Sequence, residues 1–470
     1  LIIGVQDAST SATTGSANLL LNGYGYGADG LKNNNAGQTA YGATWTNGDV
    51  IGVAFDLDGG TITFYKNNVS QGTAYSSISG TYCPVISMST AGIARTIAGS
   101  INFGQRPFTY TPPTGFVALN TQNLPAPTIS NGANYMAATL YNGNSGTQSI
   151  TNTVNGVSFQ PDFVWGKSRN ITENHGLFDA VRGVNKILYS NLTNAEATDP
   201  GVSAFNSNGF TLNGVTINAT GYTYVAWQWN AGGSTVTNTS GSITSTVSAG
   251  ATQGFSIVTY TGNNTAGATI GHGLGVSPSM IIVKKRSAVS DWPVYHSSLG
   301  ATGELVLNST TAFITITGVW NNTAPTSSVF SVGGGGASGS ADVNTSGATF
   351  VAYCFAPVAG YSAFGKYTGN GSADGPFVFT GFRPRFVMAK RTDVSNAWIL
   401  FDSTRGTYNL NTPHLQPHLS SAEANVPTYG YDFLSNGFKA RTLDASMNAS
   451  GGTYIYMAFA ENPFKNSLAR

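Results

Sequence analysis

The stretch "PDFVWGKSRNITENHGLFDAVRG", residues 161–183, decides how most of this chain is read, because its pattern returns twice. "PSMIIVKKR" begins at Pro278 and "PRFVMAKRT" at Pro384, each a proline followed by an apolar strand with a lysine six positions on. Seventeen residues after each proline stands an aromatic residue, Phe178, Tyr295 or Phe401. It opens a second motif, "FDAVRG", "YHSSLG" or "FDSTRG". One offset shared by three copies is not a chance alignment. The prolines lie 106 to 117 residues apart, which marks tandem units of domain size and not a short solenoid repeat.

Outward from this stretch, each copy opens on an aromatic strand: "YMAATLYNGN" at 135, "GFSIVTYTGN" at 254, "GYSAFGKYTGN" at 360. Each closes on a strand expected to be half-buried: "TYVAWQW", "TFVAYCF" and "TYIYMAF". Two copies carry "SNGF", at 207–210 and 435–438, where Asn-Gly supplies a turn before a buried Phe; the middle copy reads "SVFSV" at 328–332.

Composition agrees with an all-β chain. Only 9% of residues are charged, against about a quarter in ordinary soluble domains, and 59 are glycine. Ser, Thr and Asn alternating with Val, Ile, Phe and Tyr favour pleated sheets. The net charge is +1 and no basic run exceeds "VKKR" at 283–286, which argues against nucleic acid as a partner. No apolar run approaches the roughly 20 residues that span a bilayer, so no membrane insertion is expected. Cys83 and Cys354 are too few for a disulfide framework, and His414 and His418 in "PHLQPHL" lack a third ligand. No metal or other cofactor is expected.

The first 117 residues differ from the rest. In "GDVIGVAFDLDGGTITFYKNN", 48–68, one strand alternates faces, Asp58-Gly59-Gly60 turns, and a second strand returns. Asp56 and Asp58 lack the remaining ligands of a calcium loop, so a hairpin is the better reading. With Trp45, "YCPVIS" at 82–87 and "NFGQRPFTYTPPTGF" at 102–116, this segment resembles the SPRY/B30.2 family of bent β-sandwich recognition modules. The resemblance implies opening strands ahead of "LIIGV", supplied upstream or by another chain. The expected division is a SPRY-like sandwich at 1–117, a linker at 118–134, and β repeat 1 at 135–232. A linker at 233–252, repeat 2 at 253–358 and repeat 3 at 359–470 follow. The expected fold is thus a SPRY-like (concanavalin-like) β-sandwich and three related β-sandwich-like domains.

The repeated acid–base pair invites three readings: catalytic site, ligand clamp or staple. Catalysis would need a second acid within about 5–10 Å of Asp179 or Asp402, or a Ser/His partner, and no such pattern accompanies both copies. Copy two has His296 and Leu299 where the others have Asp and Arg, so both charges vanish together. Joint loss is what mutual ion pairs predict, because removing one partner strands a buried charge at a cost of roughly 3–5 kcal/mol. Asp179–Arg182 and Asp402–Arg405 are therefore expected to be structural ion pairs. Ligand contact falls instead to aromatics near glycine-rich loops and turns, Tyr24, Tyr26, Trp292 and Trp320. Trp165, Trp227, Trp229 and Trp398, in apolar strands, are expected in the core.

The succession of FDxxRG, SNGF and YVAW motifs beside a SPRY-like unit resembles tail-fibre and other virion-surface proteins of tailed bacteriophages. That resemblance implies a non-enzymatic, extracellular virion protein, a tail fibre or receptor-binding adhesin that recognises host cell-surface glycans. Other virion proteins and a homotrimer are the implied partners. The alternatives are a capsid decoration or fibre-shaft protein without a ligand, and a polysaccharide depolymerase.

Overall fold

The computed structural model describes residues 1–7, 22–87, 99–154 and 156–466. Strand makes up 44% of the described residues and helix 4%, so the all-β expectation holds. The chain forms two compact units, Leu1–Pro125 and Ala126–Arg470.

In the first unit, β1 (Ile2–Asp7), β2 (Gly23–Gly27), β3 (Leu31–Asn34) and β4 (Gly37–Ala40) form one antiparallel sheet. Its order is β4-β3-β2-β1-β8, with β8 at Tyr82–Ser87. β5 (Ile51–Asp56), β6 (Thr61–Lys66) and β7 (Val69–Tyr75) form the other. The period of two in "TITFYK" places Ile62 and Phe64 in a core with Val5, Tyr26, Trp45, Ala74 and Ile78. The turn between β5 and β6 needs Gly60, whose φ is +62°, and Asp56 Oδ1 accepts the Gly59 N–H at 2.9 Å. Asp56 is thus a turn clamp.

In the second unit the three copies repeat one plan. Opening, closing, proline-led and motif strands lie side by side. In copy one these are Met136–Asn142, Thr223–Trp229, Phe163–Ser168 and Gly176–Asp179. In copy two they are Phe255–Thr261, Thr349–Phe355, Met280–Lys285 and Pro293–His296. In copy three they are Ser362–Thr368, Thr453–Pro463, Phe382–Arg391 and Trp398–Asp402. A smaller sheet accompanies each, centred on the pairs Ile150–Phe210, Ile270–Phe330 and Val378–Phe438.

The closing strands are buried on both faces, not half-buried. One face of "TYVAWQW" sends Tyr224 and Ala226 into the copy's own core, and the other sends Val225, Trp227 and Trp229 into a core common to all copies. There Phe163 meets Tyr353 with ring centroids 4.5 Å apart, Trp229 meets Phe386 at 5.5 Å, and Phe355 meets Phe459 at 5.9 Å. Strands buried on two faces read as near-continuous apolar runs, as these do. The stretch 233–252, expected to be a linker, instead holds strands Val236–Asn238 and Ser245–Gly250, which extend the main sheet of copy two. Its alternation is of Ser, Thr and Val, and that composition hid it as a linker.

Candidate functional site

The "FDxxRG" motif ends a strand and turns back on itself, which brings its acid and base together. Asp179 Oδ1 accepts the Arg182 backbone N–H at 2.8 Å, and Asp179 Oδ2 accepts from Arg182 Nε. Asp402 Oδ1 accepts the Arg405 N–H at 2.8 Å, and its Oδ2 accepts from Arg405 Nε at 2.5 Å. All four side chains are fully buried. Each guanidinium also donates to the carbonyl two residues before its partner acid, Leu177 at 2.9 Å and Leu400 at 3.1 Å. This is the planar fork that arginine supplies and lysine does not.

The remaining partners come from other copies. Tyr353 of copy two donates its hydroxyl to Asp179 at 2.8 Å, and Trp227 of copy one donates its indole N–H to Asp402 at 2.9 Å. Arg286 of copy two grips Glu196 of copy one through two bonds of 2.9 Å, and Glu196 also accepts from Arg182 at 3.2 Å. Arg169 of copy one grips Glu423 of copy three at 3.0 and 2.8 Å, and Glu423 accepts from Arg405 at 3.1 Å. Burial works against the Glu196 charge, but Arg286 and Arg182 outweigh it and hold the carboxyl below its usual range.

Copy two leans on copy one, one on three, and three on two, as if around a threefold axis. Three equivalent backbone bonds trace the cycle: Glu196 N–H to Arg286 O (2.8 Å), Glu423 N–H to Arg169 O (2.7 Å) and Phe313 N–H to Thr392 O (2.9 Å). At the third junction every member of this ion-pair network has changed. Thr392 replaces the gripping arginine and Phe313 the glutamate, while His296 and Leu299 replace the motif pair and Met457 the indole or phenol donor. His296 instead lies 3.2 Å from the Tyr456 carbonyl through Nε2, while its Nδ1 accepts the Ser298 N–H at 3.2 Å. The pairs have no exposed side-chain surface among the described residues, and they lock copies together.

Lys167, Lys284 and Lys390 are buried beside the same junctions, and desolvation lowers each to about 8. Lys284 Nζ donates to Thr193 O of copy one at 2.8 Å, and Lys390 Nζ to Thr310 O of copy two at 3.1 Å. Among the described residues, no three His, Cys, Asp or Glu side chains gather where a metal ion would fit.

Three of the aromatics expected to meet a ligand have no free face. Tyr26 is buried under Trp45, Tyr41 and Phe64, with its hydroxyl on the Ala43 carbonyl. Trp292 is buried between copies and donates to the Tyr189 and Leu192 carbonyls at 3.1 Å. Trp320 is buried in the core of copy two against Tyr295. A turn signal nearby does not reveal that another element covers the ring. Trp165, Trp227, Trp229 and Trp398 are buried as well.

Tyr24 is different. It is half-buried on β2, on the same face as Tyr26, and at the margin of that core it packs against two other half-buried tyrosines, Tyr75 at 5.0 Å and Tyr82 at 5.8 Å. Lys32 Nζ lies 4.9 Å from the Tyr75 ring centre, and Asp7 lies near Tyr82. Burial pushes the Tyr75 phenol up to about 12 and raises Tyr82, so both remain neutral donors. Tyr82 reaches Tyr24 along the β8-β1-β2 ladder, and Tyr75, on β7, reaches it from the other sheet across the core. That is why the sequence did not mark them.

Residues 131–463 match the family described as "Domain of unknown function (DUF7483)". The chain belongs to this family. Residues 4–106 match the SPRY domain. The similar curated proteins include the ATP-dependent RNA helicase Ddx1 of Drosophila melanogaster, 33% identical over 99 residues, which are 20% of this chain and 13% of that protein. The Xenopus laevis helicase DDX1 is 32% identical over 98 residues, 21% and 13% of the two chains. The E3 ubiquitin-protein ligase RKP of Arabidopsis thaliana is 40% identical over 84 residues, 17% and 6%. This DUF7483 chain therefore spans about an eighth or less of those relatives, and the likeness runs through the SPRY domain alone. No solved structure matches.

Proposed function

We propose that this DUF7483 chain is a non-catalytic surface component of a tailed-phage virion, a tail fibre or receptor-binding adhesin. In this reading its SPRY domain meets host cell-surface glycans and its threefold β block is the scaffold. The observation that carries the reading is the half-buried trio Tyr24, Tyr75 and Tyr82 beside Lys32. Neutral phenols that offer both a ring face and a hydroxyl suit uncharged, hydroxyl-rich ligands. The acid–base pairs of the β block, by contrast, are spent on holding copies together. An extracellular location, other virion proteins and a homotrimer belong to the same proposal.

A glycan array with the purified chain tests it. Binding to a defined glycan that Tyr82→Ala abolishes, at unchanged thermal unfolding, supports the adhesin. No binding, with particles still infectious after deletion of residues 1–117, assigns the chain to capsid decoration or a fibre shaft. Release of reducing ends from host polysaccharide would make it a depolymerase.

A further inference from the structure

The three small sheets share a register, so their outward positions compare directly. Ile150, Ile270 and Val378 point inward opposite Phe210, Phe330 and Phe438. The flanking outward pair is Ser149 and Thr151 in copy one, Thr269 and Gly271 in copy two, and Phe377 and Phe379 in copy three. Phe377 is 45% exposed and Phe379 61%. Their strand, Phe377–Phe379, is the edge of its sheet, and among the described residues nothing pairs with its outer side. Thr380 N–H donates to Asn436 O at 3.0 Å and Ala440 N–H to Pro376 O at 3.2 Å, so the hydrogen-bonded positions of the ladder are 376, 378 and 380, and the N–H and C=O groups of Phe377 and Phe379 point to the open edge. Exposed apolar edges are templates for pairing with another strand.

Copy two shows what occupies this edge in the same fold. There the segment 241–243 lies along Ala268–Gly271 and joins it by one parallel bridge, Ile243 to Ile270. Ile243 N–H donates to Thr269 O at 2.9 Å, and Ser242 and Thr269 exchange two further bonds of 2.9 Å. That segment comes from the long connection 230–254 before copy two. The connection before copy three is only 356–361, too short to return to its edge.

We propose that the Phe377–Phe379 edge of copy three binds an extended segment of a partner polypeptide. The segment adds as a parallel strand and lays apolar side chains against the two phenylalanines. This surface is independent of the SPRY tyrosines. The probe is a labelled octapeptide, Lys-Val-Thr-Ile-Thr-Val-Thr-Lys, titrated by fluorescence anisotropy against the full chain. Saturable binding is expected, weakened at least tenfold by the copy-one residues in F377S/F379T. N-methylation of the peptide nitrogens that face the edge is expected to weaken it equally, and this arm needs no variant to fold. Three results would each overturn the proposal. They are no saturable binding, binding indifferent to N-methylation, and self-association of the wild-type chain that F377S/F379T abolishes while peptide does not compete.

Discussion

Trp227 of the first copy donates its indole N–H to Asp402 of the third at 2.9 Å, across 175 residues of sequence. The same position of the closing strand holds Tyr353 in copy two, which donates to Asp179, and Met457 in copy three, which has nothing to donate. The copy that Met457 serves is the one without an Asp. A buried carboxylate needs every lone pair answered, because its desolvation is otherwise uncompensated. The donor on one copy and the acid on the next are therefore one device. It is present or absent as a whole.

The first consequence concerns Asp402→Asn. The amide cannot balance the Arg405 guanidinium, and it offers two hydrogens where Arg405 and Trp227 already donate. A loss of roughly 3–5 kcal/mol is expected, the scale for breaking a buried pair from one side. Trp227→Phe keeps the ring and removes only the donor, for about 1–3 kcal/mol. Urea midpoints of both and of the double variant check this. The double variant should fall well short of the sum, while the glycan binding proposed for the SPRY unit stays intact.

The third junction reverses the logic. Leu299→Arg alone would bury a guanidinium with no acid beside it, and a large drop in the urea midpoint is expected. Adding His296→Asp should recover part of the loss, by supplying the missing carboxylate three residues before it. A double variant no better than L299R would show that the junction rejects charge for another reason.

Acid should loosen the block. All five histidines are buried, and desolvation lowers every one of them, His296 and His418 to about 4. Three accept a hydrogen bond at Nδ1 from a group that cannot titrate: His175 from the Trp165 indole at 3.0 Å, His272 from Leu274 N–H and His296 from Ser298 N–H, both at 3.2 Å. A proton on Nδ1 breaks those bonds. Folded values below the unfolded 6.5 mean that the unfolded chain binds more protons between about 4 and 6.5. The histidine contribution to stability is therefore complete above pH 6.5 and lost as pH falls through that window. Melting temperature against pH should drop steeply there, and His296→Gln, which keeps a donor toward Tyr456 O, should flatten the slope by up to one proton.

Much of this fold was legible before any coordinates. The alternation of "TITFYK", the Asp58-Gly59-Gly60 turn and the common offset from proline to motif are local signals, set by pleat geometry and turn chemistry. The junctions were not legible, because pairing between copies leaves no period in the sequence. Joint loss of Asp and Arg in "YHSSLG" showed that the charges belong together. It did not show that Arg286, Glu196 and Tyr353 belong with them, since those residues stand far apart in the chain. The aromatics failed for a related reason. Trp292 sits beside a turn, and what buries it is copy one.

Glu304 is a buried carboxyl that ionises at a cost. It lies on Gly300–Val306 in copy two, buried, with no partner for Oε2 among the described residues. Burial, with Asp342 and Asp291 adding to it, pushes its carboxyl up to about 8. A folded value raised above the unfolded 4.5 makes the neutral acid the stable form, so its contribution is whole below pH 4.5 and lost as pH rises through about 8. Glutamine keeps the shape and never ionises. Glu304→Gln is therefore expected to leave the melting temperature unchanged at pH 4 and to raise it at pH 9. One pKa unit corresponds to about 1.4 kcal/mol, so the gain should reach several degrees. Equal melting temperatures at pH 9 would mean that water or a cation reaches the carboxylate and answers its charge.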